Sequence, residues 1–142
     1  MVFWERFREI SSFYLRCTKP VCERHGLTQM EFDILMFFRN YPQYDTAADL
    51  VRVRMLTKSH VSSSLQSLKE RGLIAASRHG GNRKTVHLTL TPAAAAITSE
   101  GKEAQAKFRE CLFRDFTQEE GELFQSMFFR ICDHARGGME KD

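Results

Sequence analysis

Thr46–Leu90 reads TAADLVRVRMLTKSHVSSSLQSLKERGLIAASRHGGNRKTVHLTL. The rest of the chain takes its sense from this stretch. Thr46 caps a short helix, with Asp49 at its third position and Ala47, Leu50 and Val51 turned inward. Met55-Leu56-Thr57 is a turn. Thr57 suits the N-cap of a second helix over 58–71, and Gly72 suits its stop. Leu73–Arg78 and Thr85–Leu90 predict two strands. The tip between them, His79–Lys84, holds two glycines and an asparagine, residues that accept the positive φ of a hairpin turn. Val86, Leu88 and Leu90 alternate with His87 and Thr89, the period of a half-buried strand. The expected unit is a helix-turn-helix followed by a basic hairpin, a winged helix.

Charge singles out the same stretch. Between Arg52 and Leu90 stand eight Lys or Arg and one acid, Glu70, so the segment is +7 and the remainder of the chain −4. A basic block on a mildly acidic body fits a polyanionic partner, and it also fits a merely solvated basic face. The helical periodicity of 58–71 separates the two readings. Val61, Leu65 and Leu68 fall on one face; Ser59, Ser63, Gln66, Ser67 and Glu70 fall on the other, with Ser62 at its edge. Five serines in one helix run against propensity, yet small hydroxyls suit a helix that lies flat in a major groove about 12 Å wide. The candidate DNA contacts are Lys58, Ser59, His60, Ser62, Ser63, Gln66 and Ser67 on this helix, Arg83 and Lys84 at the hairpin tip, and Arg54 after the short helix. Gln66 offers a bidentate amide to adenine. Arg83 suits a narrow minor groove, and Arg54, like Arg52, suits a phosphate.

Outward from this core the chain is helical. Phe3, Phe7, Ile10, Tyr14, Cys17 and Val21 alternate spacings of four and three over a first helix of residues 3–24. Pro20 is expected to kink that helix or split off its last turn, and Gly26 to end it. Thr28-Gln29-Met30-Glu31 is a capping box for a core helix that runs to Asn40. Tyr41–Asp45 is a connection with room for a very short strand. Thr91-Pro92 opens a long helix expected to reach Phe116. Thr117–Glu120 is another capping box, and the tail from Gly137-Gly138 is expected to fray. The chain has twelve Phe, clustered toward its two ends, more than one chain of 142 residues readily buries. The economical arrangement is a two-fold dimer, with Phe3, Phe7, Ile10, Leu112, Phe116, Phe124 and Phe128 at the contact.

The order LTQMEFDIL, helix-turn-helix, LKERGLI, and a hairpin with NRKTVHLTLTP resembles the MarR family of bacterial transcription regulators. The likeness covers nearly the whole chain. It departs at Asn82, where the family usually has Asp before the wing arginine, and at Ala94, where it usually has Gly. The resemblance implies a mainly α fold: a winged helix-turn-helix lobe at 28–90, with dimerisation helices at 1–25 and 91–136, in one MarR-type domain over 1–142. It implies a homodimeric repressor that binds a pseudo-palindromic operator and releases it to a small aromatic ligand. A pocket lined by Phe7, Tyr14, Phe32 and Met36 is where such a ligand is expected. The alternatives are a thiol switch at Cys17 or Cys22, and an adaptor that engages protein instead of DNA.

Other classes find little support. No GxSxG, phosphate-binding glycine loop, HExxH or usefully spaced carboxylate pair occurs, so no enzyme and no cofactor is expected. The four cysteines form no CxxC, and the five histidines form no i, i+4 pair, so no metal is expected. No run approaches a membrane span of about 20 residues. The first residues lack the basic and apolar regions of a signal peptide, which makes the expected location cytoplasmic.

Overall fold

A computed structural model describes residues 1–78 and 84–141. One 3-10 turn, Phe3–Arg6, leads into α1 (Phe7–His25). There follow α2 (Gln29–Asn40), α3 (Ala47–Val53), α4 (Lys58–Glu70), β1 (Ile74–Ser77), β2 (His87–Leu90), a second 3-10 turn (Pro92–Ala94), α5 (Ala95–Leu112) and α6 (Gln118–Glu140). The chain divides into two compact units, Met1–Phe108 and Arg109–Asp142. No helix among the described residues is long and apolar enough to cross a membrane.

The first unit is built on α2. Phe32, Ile34 and Leu35 are fully enclosed, and Met36, Phe37 and Phe38 nearly so. Each such side chain contributes about 1.5–3 kcal/mol by leaving water. Local signals set the ends of the helix. Glu31 N–H donates to Thr28 Oγ1 at 3.1 Å and Thr28 N–H to Glu31 Oε1 at 2.9 Å, the reciprocal capping box. Gly26 ends α1 at φ +62°, and Leu27 N–H returns to the Cys22 carbonyl at 2.9 Å. Thr46 and Asp49 close a second box at the start of α3. Leu50 from α3, Val61, Leu65 and Leu68 from α4, Leu88 from β2 and Ile97 from α5 complete the core.

The two strands pair antiparallel, from Ile74 opposite Leu90 to Ser77 opposite His87. Both are shorter than their apolar pattern predicts. No strand forms at Tyr41–Asp45, but the Asp45 carbonyl accepts Leu88 N–H at 2.7 Å, so one bond ties that connection to β2.

Three helical expectations are corrected. α1 is not split at Pro20 but continues to His25, with Thr18, Val21 and Cys22 on either side buried. α5 stops at Leu112, four residues early. Phe113 packs on Phe116 (5.5 Å between ring centres) and on Phe124 (5.8 Å), and the Thr117 capping box opens a new helix. α6 continues through Gly137-Gly138 to Glu140, since neither glycine adopts the positive φ that ends a helix.

In the second unit α6 has no buried residue. Leu123, Phe124, Met127, Phe129 and Ile131 are each 41–60% exposed, although Phe124 and Phe128 stack at 5.7 Å. In the first unit Phe3 is 64% and Ile10 39% exposed.

Candidate nucleic-acid interface

Helix α4 divides as its periodicity requires. Val61, Leu65 and Leu68 are buried, while Lys58, Ser59, His60, Ser62, Ser63 and Gln66 are exposed. Its N-cap, Thr57, has extended backbone but makes no side-chain cap bond, and no acid stands in the first turn. The helix therefore starts with open N–H groups and no negative charge beside them, an arrangement favourable to an anion.

Two members of the polar face are already engaged. Gln66 Nε2 donates to Glu70 Oε1 at 3.1 Å. Ser67, expected on the outer face, is half-buried and donates to Glu31 Oε2 at 2.7 Å. Burial alone would raise the Glu31 carboxyl. The bonds from Ser67 and Thr28 outweigh that, and it titrates below the usual glutamate range. Lys84 is exposed at the base of the hairpin tip. Arg83 and Asn82 lie outside the described residues.

Beside α4 an apolar groove of about 500 Å³ runs between α3 and β2. Ala47, Val51, Val61, Leu65, Val86 and Leu88 wall it, and Lys58, Ser62, Gln66 and Lys69 border it. Sequence reading missed this groove. Its signal is the small pair Ala47-Ala48, both of which line it.

A second, polar pocket of about 100 Å³ is lined by Tyr14 of α1, Asp33, Met36, Phe37 and Asn40 of α2, Tyr41, Arg54 and Gln105 of α5. Of the four residues expected to line a ligand pocket, Tyr14 and Met36 meet here. Phe32 is enclosed in the core, and Phe7 sets its ring edge-on to Phe3 at 5.3 Å. Gln105 Nε2 donates to the Tyr14 hydroxyl at 3.0 Å, and Asn40 Nδ2 to Gln105 Oε1 at 3.1 Å. Burial pushes the Tyr14 hydroxyl up, against the bond from Gln105. Burial also raises the Asp33 carboxyl, against the bond from Gln29 (2.9 Å) and the charge of Arg54. Arg54, read from sequence as a phosphate contact, thus stands on this pocket. Asp33 was missed, though 33, 36, 37 and 40 follow the three-and-four spacing of one helical stripe.

The cysteines are dispersed. Cys22 is buried beside Gln29, and burial first, then the Asp33 carboxylate, raises its thiol. Cys17 is half-buried, and Cys111 and Cys132 are exposed. Among the described residues no three His, Cys, Asp or Glu side chains are grouped to hold a metal ion.

A helix-turn-helix followed by a two-stranded hairpin, flanked by long helices, defines a winged helix-turn-helix protein. Residues 25–84 match the model of the MarR family. PecS from Dickeya dadantii (strain 3937), an HTH-type transcriptional regulator, is 24% identical over 121 residues, which span 84% of this chain and 73% of PecS. MepR from S. aureus, solved in its DNA-binding conformation, superposes with a TM-score of 0.85 at 17% identity, over 95% of this chain and 99% of that one. The structure of an S. aureus MepR–DNA complex gives 0.80 at 17% identity, over 94% and 96%. The family match covers the helix-turn-helix and the first strand of the wing, and the solved structures share the fold of nearly the whole chain.

Proposed function

We propose that the protein is a homodimeric repressor that binds a pseudo-palindromic operator, one α4 per half-site. The observation that carries this reading is the outer face of α4. Lys58, Ser59, His60, Ser62 and Ser63 are exposed together, next to uncapped N–H groups and with no acid in the first turn. Such a face suits phosphates and groove edges. Arg83 and Lys84 on the hairpin are the proposed second contact. The MepR structure with DNA bound supports the reading by likeness of fold.

The homodimer rests on the apolar surface of α6 and the N-terminal turn. Phe3, Ile10, Phe116 and Phe124 are 39–64% exposed, and the partly covered Phe7, Leu112 and Phe128 accompany them. Exposed aromatics in such number call for a covering surface. A second copy supplies it, with residues 1–25 and 91–136 as dimerisation segments and 28–90 as the DNA-binding lobe.

The pocket of Tyr14, Asp33 and Arg54 is the proposed effector site. A guanidinium, a phenol and amide groups around the thioether of Met36 suit a small aromatic carrying polar or anionic substituents. Release of the operator by that ligand completes the proposed cycle. Burial of Cys22 argues against a thiol switch there.

Footprinting on DNA upstream of the protein's own gene tests this. Protection of two half-sites centred about 10 base pairs apart, or a multiple of that, is the expected result. Sedimentation as a monomer at micromolar concentration, with no protected site, would overturn it.

A further inference from the structure

The C-terminal half of α4 is fastened to the α1–α2 corner by side-chain hydrogen bonds at three points. Ser67 Oγ donates to Glu31 Oε2 at 2.7 Å. The Arg71 guanidinium donates to the Gly26 carbonyl at 3.0 Å and to the His25 carbonyl. Those two carbonyls end α1, where the aligned peptide dipoles concentrate negative charge. Glu31 is itself fixed, since its other oxygen accepts Thr28 N–H at 2.9 Å. The N-terminal half of α4 is held otherwise. Thr57 makes no cap bond, and Ser63 Oγ turns back to the His60 carbonyl of its own helix. Among the described residues no side-chain hydrogen bond ties Lys58–Leu65 to another element.

A helix held only by Val61, Leu65 and Leu68 retains freedom to roll a few degrees about its axis, because apolar contacts are non-directional. The Ser67–Glu31 bond removes that freedom. It is short, directional and ends on a carboxylate, and so belongs to the stronger class. Rolling α4 would carry Ser59, Ser62, Ser63 and Gln66 out of register with base edges while leaving lysines close enough to phosphates.

We infer that Glu31 is a positioning residue for DNA readout: through Ser67, and with Arg71 as the second pin, it sets the roll of α4 and so the selectivity of the protein between its operator and other DNA. Glu31 touches no DNA in this account. The inference rests on the DNA-binding reading above.

The test is a double-mutant cycle on the full-length protein with Ser67→Ala and Glu31→Asp. Thr46 and Asp49 form a capping box in this same chain with an aspartate at the third position. Glu31→Asp therefore keeps the start of α2 while its shorter stem withdraws the second oxygen from Ser67. Affinity is measured by anisotropy on a duplex from the protein's own upstream region and on an unrelated duplex of equal length. Each single variant is expected to lose about five- to tenfold on the first duplex and nothing on the second, with the salt dependence unchanged. The double variant is expected to lose no more than one single, the mark of two residues acting through one contact. Ser67→Thr, which keeps the hydroxyl, should restore selectivity. Arg71→Lys, which keeps the charge and loses the two-pronged donor, gives an independent arm with the same expected pattern.

Losses that multiply in the double variant would show that Ser67 meets DNA directly and would overturn the inference. An equal loss on both duplexes would overturn it too, as a general weakening of the fold. A wild-type protein that binds neither duplex would defeat the DNA-binding reading itself, and this one with it.

Discussion

His87 Nδ1 lies 2.9 Å from Asp45 Oδ2, and the neighbouring Leu88 N–H donates to the Asp45 carbonyl at 2.7 Å. Asp45 therefore holds the second wing strand with both its side chain and its backbone, one residue before the Thr46 cap of α3. The wing and the helix-turn-helix share this anchor. The contact is part-exposed, so His87→Ala should cost under about 1 kcal/mol in urea unfolding. Its larger effect should be on DNA, because β2, the strand that follows Lys84, loses one of its two ties to Asp45. A severalfold loss of affinity for the upstream duplex, with little change in the unfolding midpoint, is the expected pair of results.

Gly101 tests the packing of α5 on α2. A Cβ there would overlap Met36 Sδ and stand 3.1 Å from Phe32 Cζ, in the fully enclosed core. Gly101→Ala should destabilise the protein by about 1–3 kcal/mol, the usual range for overpacking. Adding Met36→Val, which removes the overlapping atoms, should recover part of the loss in a chemical denaturation series.

Met55, in the turn before α4, adopts φ +56° and is the one non-glycine residue with positive φ among the described residues. A branched side chain tolerates this conformation least. Met55→Val should lower stability by about 1 kcal/mol or more, and Met55→Asn should hold or raise it. Thermal melts of the two variants side by side provide the check; a stable Met55→Val would contradict the assigned backbone.

Much of the fold was legible because its signals are local. Thr28 with Glu31, Thr46 with Asp49, and Thr117 with Glu120 each close a box within four residues, and Gly26 and Gly72 take the positive φ that stops a helix. The faces of α4 followed from the spacing of Val61, Leu65 and Leu68. What the sequence hid is contact between distant residues. Ser67 looked like one more groove-facing serine because its partner, Glu31, stands 36 residues away and already had a local duty as a cap. The polar pocket joins Tyr14 and Gln105 across 91 residues, and neither carries a motif. Gly137-Gly138 looked like a terminus because glycine is a poor helix former, yet α6 passes through both.

Asp33 gives a pH dependence of definite sign. Burial raises its carboxyl in the folded protein, so ionising it costs stability. The native state is favoured while Asp33 is protonated, and that contribution is lost as pH rises through the raised folded value. Asp33→Asn keeps an oxygen for Gln29 and cannot ionise. Its urea midpoint should exceed that of the wild type at pH about 7.5, and the gap should close toward pH about 4, near the ordinary aspartate range.

Glu31 has the opposite sign. Its bonds from Ser67 and Thr28 hold it below the usual glutamate range despite burial. Its contribution is present at neutral pH and lost as pH falls below the ordinary glutamate value of about 4.3 and through the lower folded value. Ser67→Ala should reduce this acid-side loss in a pH series of denaturation midpoints and leave the neutral-to-alkaline limb unchanged in shape.

The central claim is that the basic face of α4 and the wing meet a nucleic-acid backbone, and salt tests it most directly. Affinity for the upstream duplex should fall linearly with the logarithm of salt concentration, with a slope of about −0.9 for each phosphate neutralised. Lys58→Ala and Arg83→Ala should each reduce that slope by about one. A flat salt dependence in the wild-type protein, or slopes unchanged in both variants, would contradict the account.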